Sequence, residues 1–319
     1  MPKNLKLFLL LAAVIFAASL YVAMVGSIGL ALRNYYPGTP RHGLVDWGLI
    51  SAALFDVLSL VVTLLLAGLA VRPRCGAARA MFMTLTVYSV LVSLPSAAYL
   101  IIKSHGDFSG VAQITAIIGR SEVFRFVPYV ATALPLLQLS AMALLFTGAA
   151  RRWFETARPD VVHLNRAMPL AVKLVAVACL LIALGWIWNY WGRAAISAQL
   201  AVGHGRHPGA AADRLWALGL LIVKLGMVLA LGALLAFWRR AWVGWAGIAL
   251  LGNVALYGLF TDAFVLPVLI KSAHDTPGLP LYAVLSPYVV LAAVVLCGVG
   301  VLLLLLPGSR QWFETVKCE

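Results

Sequence analysis

Asp56, Lys224 and Asp262 sit deep inside long apolar runs. A charged side chain at the centre of a membrane helix costs about 2.5–3.5 kcal/mol on insertion scales, so residues of this kind have partners or a function. Two chemistries fit an acid–base–acid set. One is a buried ion pair that locks helices in register. The other is a midplane site for a cation or a proton, with one carboxylate left over. Counted from Trp47, Arg214 and Lys271, where the runs meet polar sequence, each charge falls about 13–15 Å below one membrane boundary. The spacing predicts all three at one level, with Lys224 paired to Asp56, Asp262 or both. Ser59 and Thr63 extend a polar face from Asp56, because residues three and seven positions on return to the same side of a helix.

The connecting segments hold a second group of reactive residues. His42, His105, His204, His207 and His274 fall in one set of loops, and His163 in the other. Lys103, His105 and Asp107 recur in kind as Lys271, His274 and Asp275. Zinc needs three or four converging ligands, and these segments give no spacing that forces convergence. A helix end with a snorkelling lysine explains the Lys-Ser-Asp recurrence without catalysis. No phosphate loop, His-Glu-x-x-His, nucleophile elbow or haem-attachment motif occurs. The reading is of no catalytic residue, no metal and no cofactor. Trp153-Phe154 and Trp312-Phe313 follow long apolar runs, and the expectation for them is anchoring at the membrane interface.

These residues need elements to position them. Hydrophobic residues are 63% of 319 and charged residues 11%, against about 25% charged in a soluble domain. Eight apolar blocks, residues 7–32, 47–71, 80–102, 127–149, 170–192, 215–238, 244–270 and 284–306, each approach the ~20 residues that cross a bilayer. The fold class is all-α: a polytopic bundle of eight transmembrane helices. The first block opens like a signal peptide, but its apolar run continues to Leu32, and a spanning helix is expected there. The net charge of +13 reads as cytoplasmic-loop lysine and arginine rather than a nucleic-acid surface. Cys75, Cys179, Cys297 and Cys318 show no paired metal or redox spacing.

Trp-Phe-Glu-Thr occurs twice, at 153–156 and 312–315. Met1-Pro2, Asp46, Lys103-Ser104 and Pro128-Tyr129-Val130 also recur in order as Met168-Pro169, Asp213, Lys271-Ser272 and Pro287-Tyr288-Val289. The pattern predicts two four-helix repeats, residues 1–158 and 159–319. Four spans per half is an even number, so the repeats should be parallel, related by an axis along the membrane normal. Spans 2 and 6 are then expected in related places, face to face across that axis. Small residues in span 1 (Ala12, Ser19, Ala23, Gly26) and span 6 (Gly219, Gly226, Ala230, Ala233) suit close helix packing. Thr86, Ser89, Ser93 and Ser96 line one face of span 3.

One half resembles small four-span bacterial inner-membrane proteins of unknown function that end in a Ser-x-Arg segment followed by Thr. Ser309-Arg310 through Thr315 carries the likeness, and Ala150-Arg151 through Thr156 departs from it by lacking the Ser. The resemblance implies a tandem duplicate with that fold and no activity. The leading functional expectation is a non-enzymatic subunit of the bacterial inner membrane, of the assembly or immunity type, with both termini cytoplasmic. Its partners would be membrane lipids and another membrane or periplasmic protein, not nucleic acid. The alternatives are a transporter or channel using Asp56, Lys224 and Asp262, and a lipid-modifying enzyme.

Overall fold

The computed structural model describes residues 2–34, 43–71, 76–104, 125–150, 168–203, 211–238, 240–262, 266–267, 270–271, 274 and 278–313. Among them the regular structure is entirely helical. The helices are α1 Lys3–Asn34, α2 Gly43–Val71, α3 Gly76–Ser104, α4 Val127–Leu145, α5 Leu170–Gly203, α6 Ala211–Phe237 and α7 Ala241–Tyr257. A π turn, Gly258–Asp262, then α8 Leu281–Leu305 and a short α9 Pro307–Phe313 complete the set. Eight of these stretches are long and apolar enough to span a bilayer, so the chain is a multi-pass membrane protein. Helices close their backbone hydrogen bonds internally, which hydrocarbon demands. Leu, Val, Ile and Trp side chains cover the outside, as at Leu54, Leu58, Leu65, Leu180, Leu184 and Leu302.

Each half packs as a ring of four. In the first, α1 meets α2 and α4, and α3 meets the same two helices. In the second, α5 meets α6 and α8, and α7 meets the same two. The two rings join through α3 against α7, α3 against α6, and α2 against α7. Exchange of the halves maps that set of contacts onto itself, the property of a two-fold interface. Buried positions also correspond. Leu5, Phe8 and Ala12 of α1 match Val172, Val175 and Cys179 of α5 at one constant spacing. Gln138 and Leu145 match Cys297 and Leu304 at another.

Helix directions follow from contact register. Phe55 packs on Tyr257 with ring centroids 5.5 Å apart, while Ser59 lies beside Asn253 at 3.5 Å. Residue numbers rise on α2 as they fall on α7, so the two helices are antiparallel. α2 connects to α3 by a short link and packs along it, so α3 and α7 run the same way. The end of the bundle holding Lys3, Val71, Gly76, Phe237, Ala241 and Leu305 is called the near end below, and the other the far end.

The expected face-to-face meeting of spans 2 and 6 is not how the halves join. The helices that hold those spans, α2 and α6, each touch both α3 and α7, so they flank the α3–α7 pair on opposite sides. The small-residue seam expected on span 6 also behaves differently. Gly219 approaches Pro95 of α3, but Gly226, Ala230 and Ala233 are exposed. α6 instead buries Val228, Leu231, Gly232 and Leu235, because a bundle of Leu-rich helices is filled by larger side chains.

In a chain whose four native cysteines are replaced, Ser59→Cys with Asn253→Cys is expected to cross-link under mild oxidation. Ser59→Cys with Ala241→Cys, at the near end of α7, is not. The reverse outcome, read by gel shift after a cut between the halves, contradicts the antiparallel α2–α7 register.

Candidate functional site

α2 has two unlike faces. Leu54, Leu58, Val61, Val62, Leu65 and Leu69 point outward. Phe55, Ala67, Ala70 and Val71 are buried. At 100° per residue, Asp56 falls in line with Thr63 and Ala67 on the inward side. Asp56 is half-buried, so it faces space within the first bundle rather than lipid. Its neighbours along the helix hold the wall: Phe55 packs on Tyr257 and Phe260 at 5.5 and 6.2 Å, Ser59 Oγ donates to Asn253 Oδ1, and Thr63 Oγ1 donates to the Ser59 carbonyl at 2.8 Å.

The other three walls of the bundle each add polar groups. On α3, Thr86 is buried, and Ser93 Oγ donates to the Ser89 carbonyl at 2.5 Å. On α4, Gln138 Nε2 donates to Ser89 Oγ at 2.9 Å. That bond turns the other end of the amide away, and Gln138 Oε1 has no hydrogen-bond partner although Gln138 is only 6% exposed. On α1, Ser19 is 8% exposed and its Oγ is likewise unpartnered. Counted along each helix from its near end at 1.5 Å per residue, Asp56, Ser89 and Ser19 lie roughly 19–24 Å in, and Gln138 lies roughly 10 Å from the end of α4. They form a polar layer spread over roughly two helical turns.

Below that layer the bundle is apolar. Leu5, Phe8, Ala12, Ala67, Val71, Phe82, Ala141, Leu145 and Ala150 make a continuous cluster, with Phe8 and Phe82 edge to face at 5.3 Å. The second bundle has no such layer among its described residues. Cys297 stands where the first has Gln138, inside a cluster with Val175, Cys179, Ile182, Val228, Leu250 and Leu251. Its polar ties lie nearer the far end: Ser286 Oγ and Arg193 Nε both donate to Asn189 Oδ1, at 2.9 and 3.1 Å. Trp188 Nε1 donates to the Tyr282 carbonyl at 2.8 Å. Gly192 permits this contact, since a Cβ there would stand 2.5 Å from Ser286 Cβ.

Lys224 is in line with Val228, Leu231 and Leu235, so it faces the interior of the second bundle. Asp56 and Lys224 thus hold corresponding places, each turned into its own half, with α3 and α7 between their helices. The expected common level for all three charges also needs correction. The Phe55–Tyr257 register sets Asp262 about 6–9 Å nearer the far end than Asp56. Residues 266–267, 270–271 and 274 are helical beyond the π turn. The side chain of Asp262 lies outside the described residues, and so does its pairing with Lys224.

Among the loop candidates, Lys271 and His274 are exposed, while His105, Asp107, Asp275 and the Lys103 side chain lie outside the described residues, as do Trp153 and Phe154. Of the second interfacial pair, Phe313 is no anchor. It is buried against α7, where a Cβ on Gly244 would meet its ring at 2.8 Å. Trp312 packs beside the same core. The turn into α9 is held by Ser309 Oγ, which donates to the Leu303 carbonyl at 2.7 Å, and by Arg310 over the Trp245 ring at 5.7 Å. Sequence reading passed over Gln138 and Asn253. Their signal was a lone amide within an apolar run, which hydrocarbon tolerates poorly without a partner. No protein-family model, curated protein or solved structure matches the chain.

Gln138→Met, which keeps side-chain length, removes both the bond to Ser89 and the unpartnered Oε1. A buried unsatisfied acceptor costs about 1–3 kcal/mol, against about 1 kcal/mol for the lost bond. In cation-free detergent the melting temperature is therefore expected to hold or rise. A clear fall would show that Oε1 has a partner.

Proposed function

We propose that this protein is a non-enzymatic membrane protein that takes up a small cationic species, a proton or a monovalent cation, at Asp56 of the first bundle. The single observation that carries the reading is the inward polar layer of Asp56, Ser89, Gln138 and Ser19, set above an apolar plug. An intramembrane carboxylate lined by hydroxyls and an amide suits uptake, and the cluster below it suits a closed gate. The second bundle, packed with aliphatic side chains and two buried thiols, serves as scaffold in this reading. Matching ring order and matching buried positions support an origin as a tandem duplicate of one four-helix unit. The near end would be cytoplasmic, since Lys3, Lys6, Arg79, Lys173, Arg240 and Arg310 gather there, and the membrane that of a bacterial cell interior.

A second reading, a subunit that docks another membrane protein, has support in the exposed Gly226-x-x-x-Ala230 stripe on α6. Small residues at this spacing let a second helix approach closely. Gly226→Leu is expected to remove any self-association or co-purifying partner seen by native mass spectrometry. An unchanged mass distribution contradicts that role for the stripe.

For the leading reading, Asp56→Asn is isosteric and should fold with an unchanged melting profile. Cation or proton flux into proteoliposomes should drop roughly tenfold or more relative to the unsubstituted protein. A variant with full flux contradicts the proposal.

A further inference from the structure

We infer that the near end of the second bundle is a docking site for one anionic phospholipid, with the phosphate on Arg310 and the glycerol and upper acyl chains on Trp238, Trp242 and Trp245. The site shares no residue with the polar layer of the first bundle and does not depend on uptake at Asp56.

Depth and charge come first. The spans of α6 and α8 end at Phe237 and Leu305, and that of α7 begins at Ala241. Trp238, Arg240 and α9 therefore lie where hydrocarbon meets headgroups. Among the described residues the near end of the molecule carries Lys3, Lys6, Arg79, Lys173, Arg240 and Arg310, and no carboxylate. A surface of that sign at that depth draws anionic headgroups.

Contacts around the first turns of α7 set the groups side by side. Trp242 and Trp245 are three positions apart, so they neighbour each other on one side of the helix. The Trp238 ring stands edge-on to Trp242 with centroids 6.0 Å apart, and the Arg310 guanidinium lies over the Trp245 ring at 5.7 Å. The result is an aromatic floor with an arginine at one edge. Trp238 and Trp242 are 51% and 43% exposed, and Arg310 is exposed. Packing fixes Arg310 in place. Phe313 is buried against Gly244, where an added Cβ would meet its ring at 2.8 Å, and Ser309 Oγ donates to the Leu303 carbonyl at 2.7 Å. Among the described residues the Arg310 side chain has no hydrogen bond or ion pair. A guanidinium stacked on an indole keeps its edge N–H groups for an acceptor, and that fork matches two phosphate oxygens. Tryptophan, apolar in body and polar at one edge, suits the glycerol and upper chains beside it. An acidic protein segment would satisfy the arginine and leave the indoles without an apolar partner.

The test titrates the full chain in detergent with phosphatidylglycerol, or with phosphatidylcholine of the same acyl chains, and counts bound lipid by native mass spectrometry. One phosphatidylglycerol is expected to be held more tightly than phosphatidylcholine, and inorganic phosphate is expected not to displace it. Arg310→Gln should weaken phosphatidylglycerol roughly tenfold, the equivalent of about 1.4 kcal/mol, and leave phosphatidylcholine unchanged. A second measurement keeps Arg310 intact. Phosphatidylglycerol brominated in its upper acyl chain is expected to quench tryptophan fluorescence saturably, with less quenching in Trp242→Phe. Equal retention of the two lipids, full affinity in Arg310→Gln, or unchanged quenching in Trp242→Phe overturns the site. Displacement by inorganic phosphate would leave an anion site without a lipid. An acidic polypeptide that co-purifies, and is lost in Arg310→Gln while the two lipids bind alike, would give the patch to a protein partner instead.

Discussion

Hydrocarbon gives a polar atom nothing to bond to, and this constraint organises the whole molecule. It makes every spanning element a helix, because a helix satisfies its own backbone. It turns part-buried hydroxyls onto a carbonyl of the preceding turn, as Thr63, Thr84, Ser93 and Thr132 show. It also makes exceptions informative. A carboxylate on the inward face of α2, and an amide oxygen and a hydroxyl that find no partner in the chain, are the exceptions of the first bundle.

The two halves share a frame and differ in filling. Both are rings of four helices with the same neighbours, and both bury corresponding residues near one end. The first half then places Gln138 where the second has Cys297 among aliphatic side chains, and Asp56 where the second has Lys224. A frame held by van der Waals packing tolerates such exchange, since membrane helices associate through close fit more than through a solvent-driven force. The π turn at Gly258–Asp262 lies where α2 meets α7. Interruptions of this kind gather at functional positions, and here Phe260 closes on Phe55 beside Asp56.

Much of this architecture was legible in the chain. Apolar runs near twenty residues mark spanning helices because bilayer thickness sets their length, and an even span count per half sets the shared direction of α3 and α7. The charges were legible as exceptions, but their neighbours were not. Whether Asp56 meets Lys224 depends on which helices lie at the axis, and hydrophobic pattern is silent on that when both faces of a helix are apolar. The common depth failed at Asp262 because the pairing of Phe55 with Tyr257 sets the α2–α7 register, and a count from Lys271 along one run does not carry that register. Phe313 read as an anchor because an aromatic after a long apolar run usually is one; the small Gly244 opposite it was needed to see that the ring turns inward.

Infrared difference spectroscopy during exchange of sodium for choline addresses the central claim most directly. Binding at Asp56 is expected to shift a carboxylate stretching band, with the band absent in Asp56→Asn. An exchange spectrum free of carboxyl signals, or one unchanged in Asp56→Asn, would show that the charge inside the first bundle is balanced without the ion.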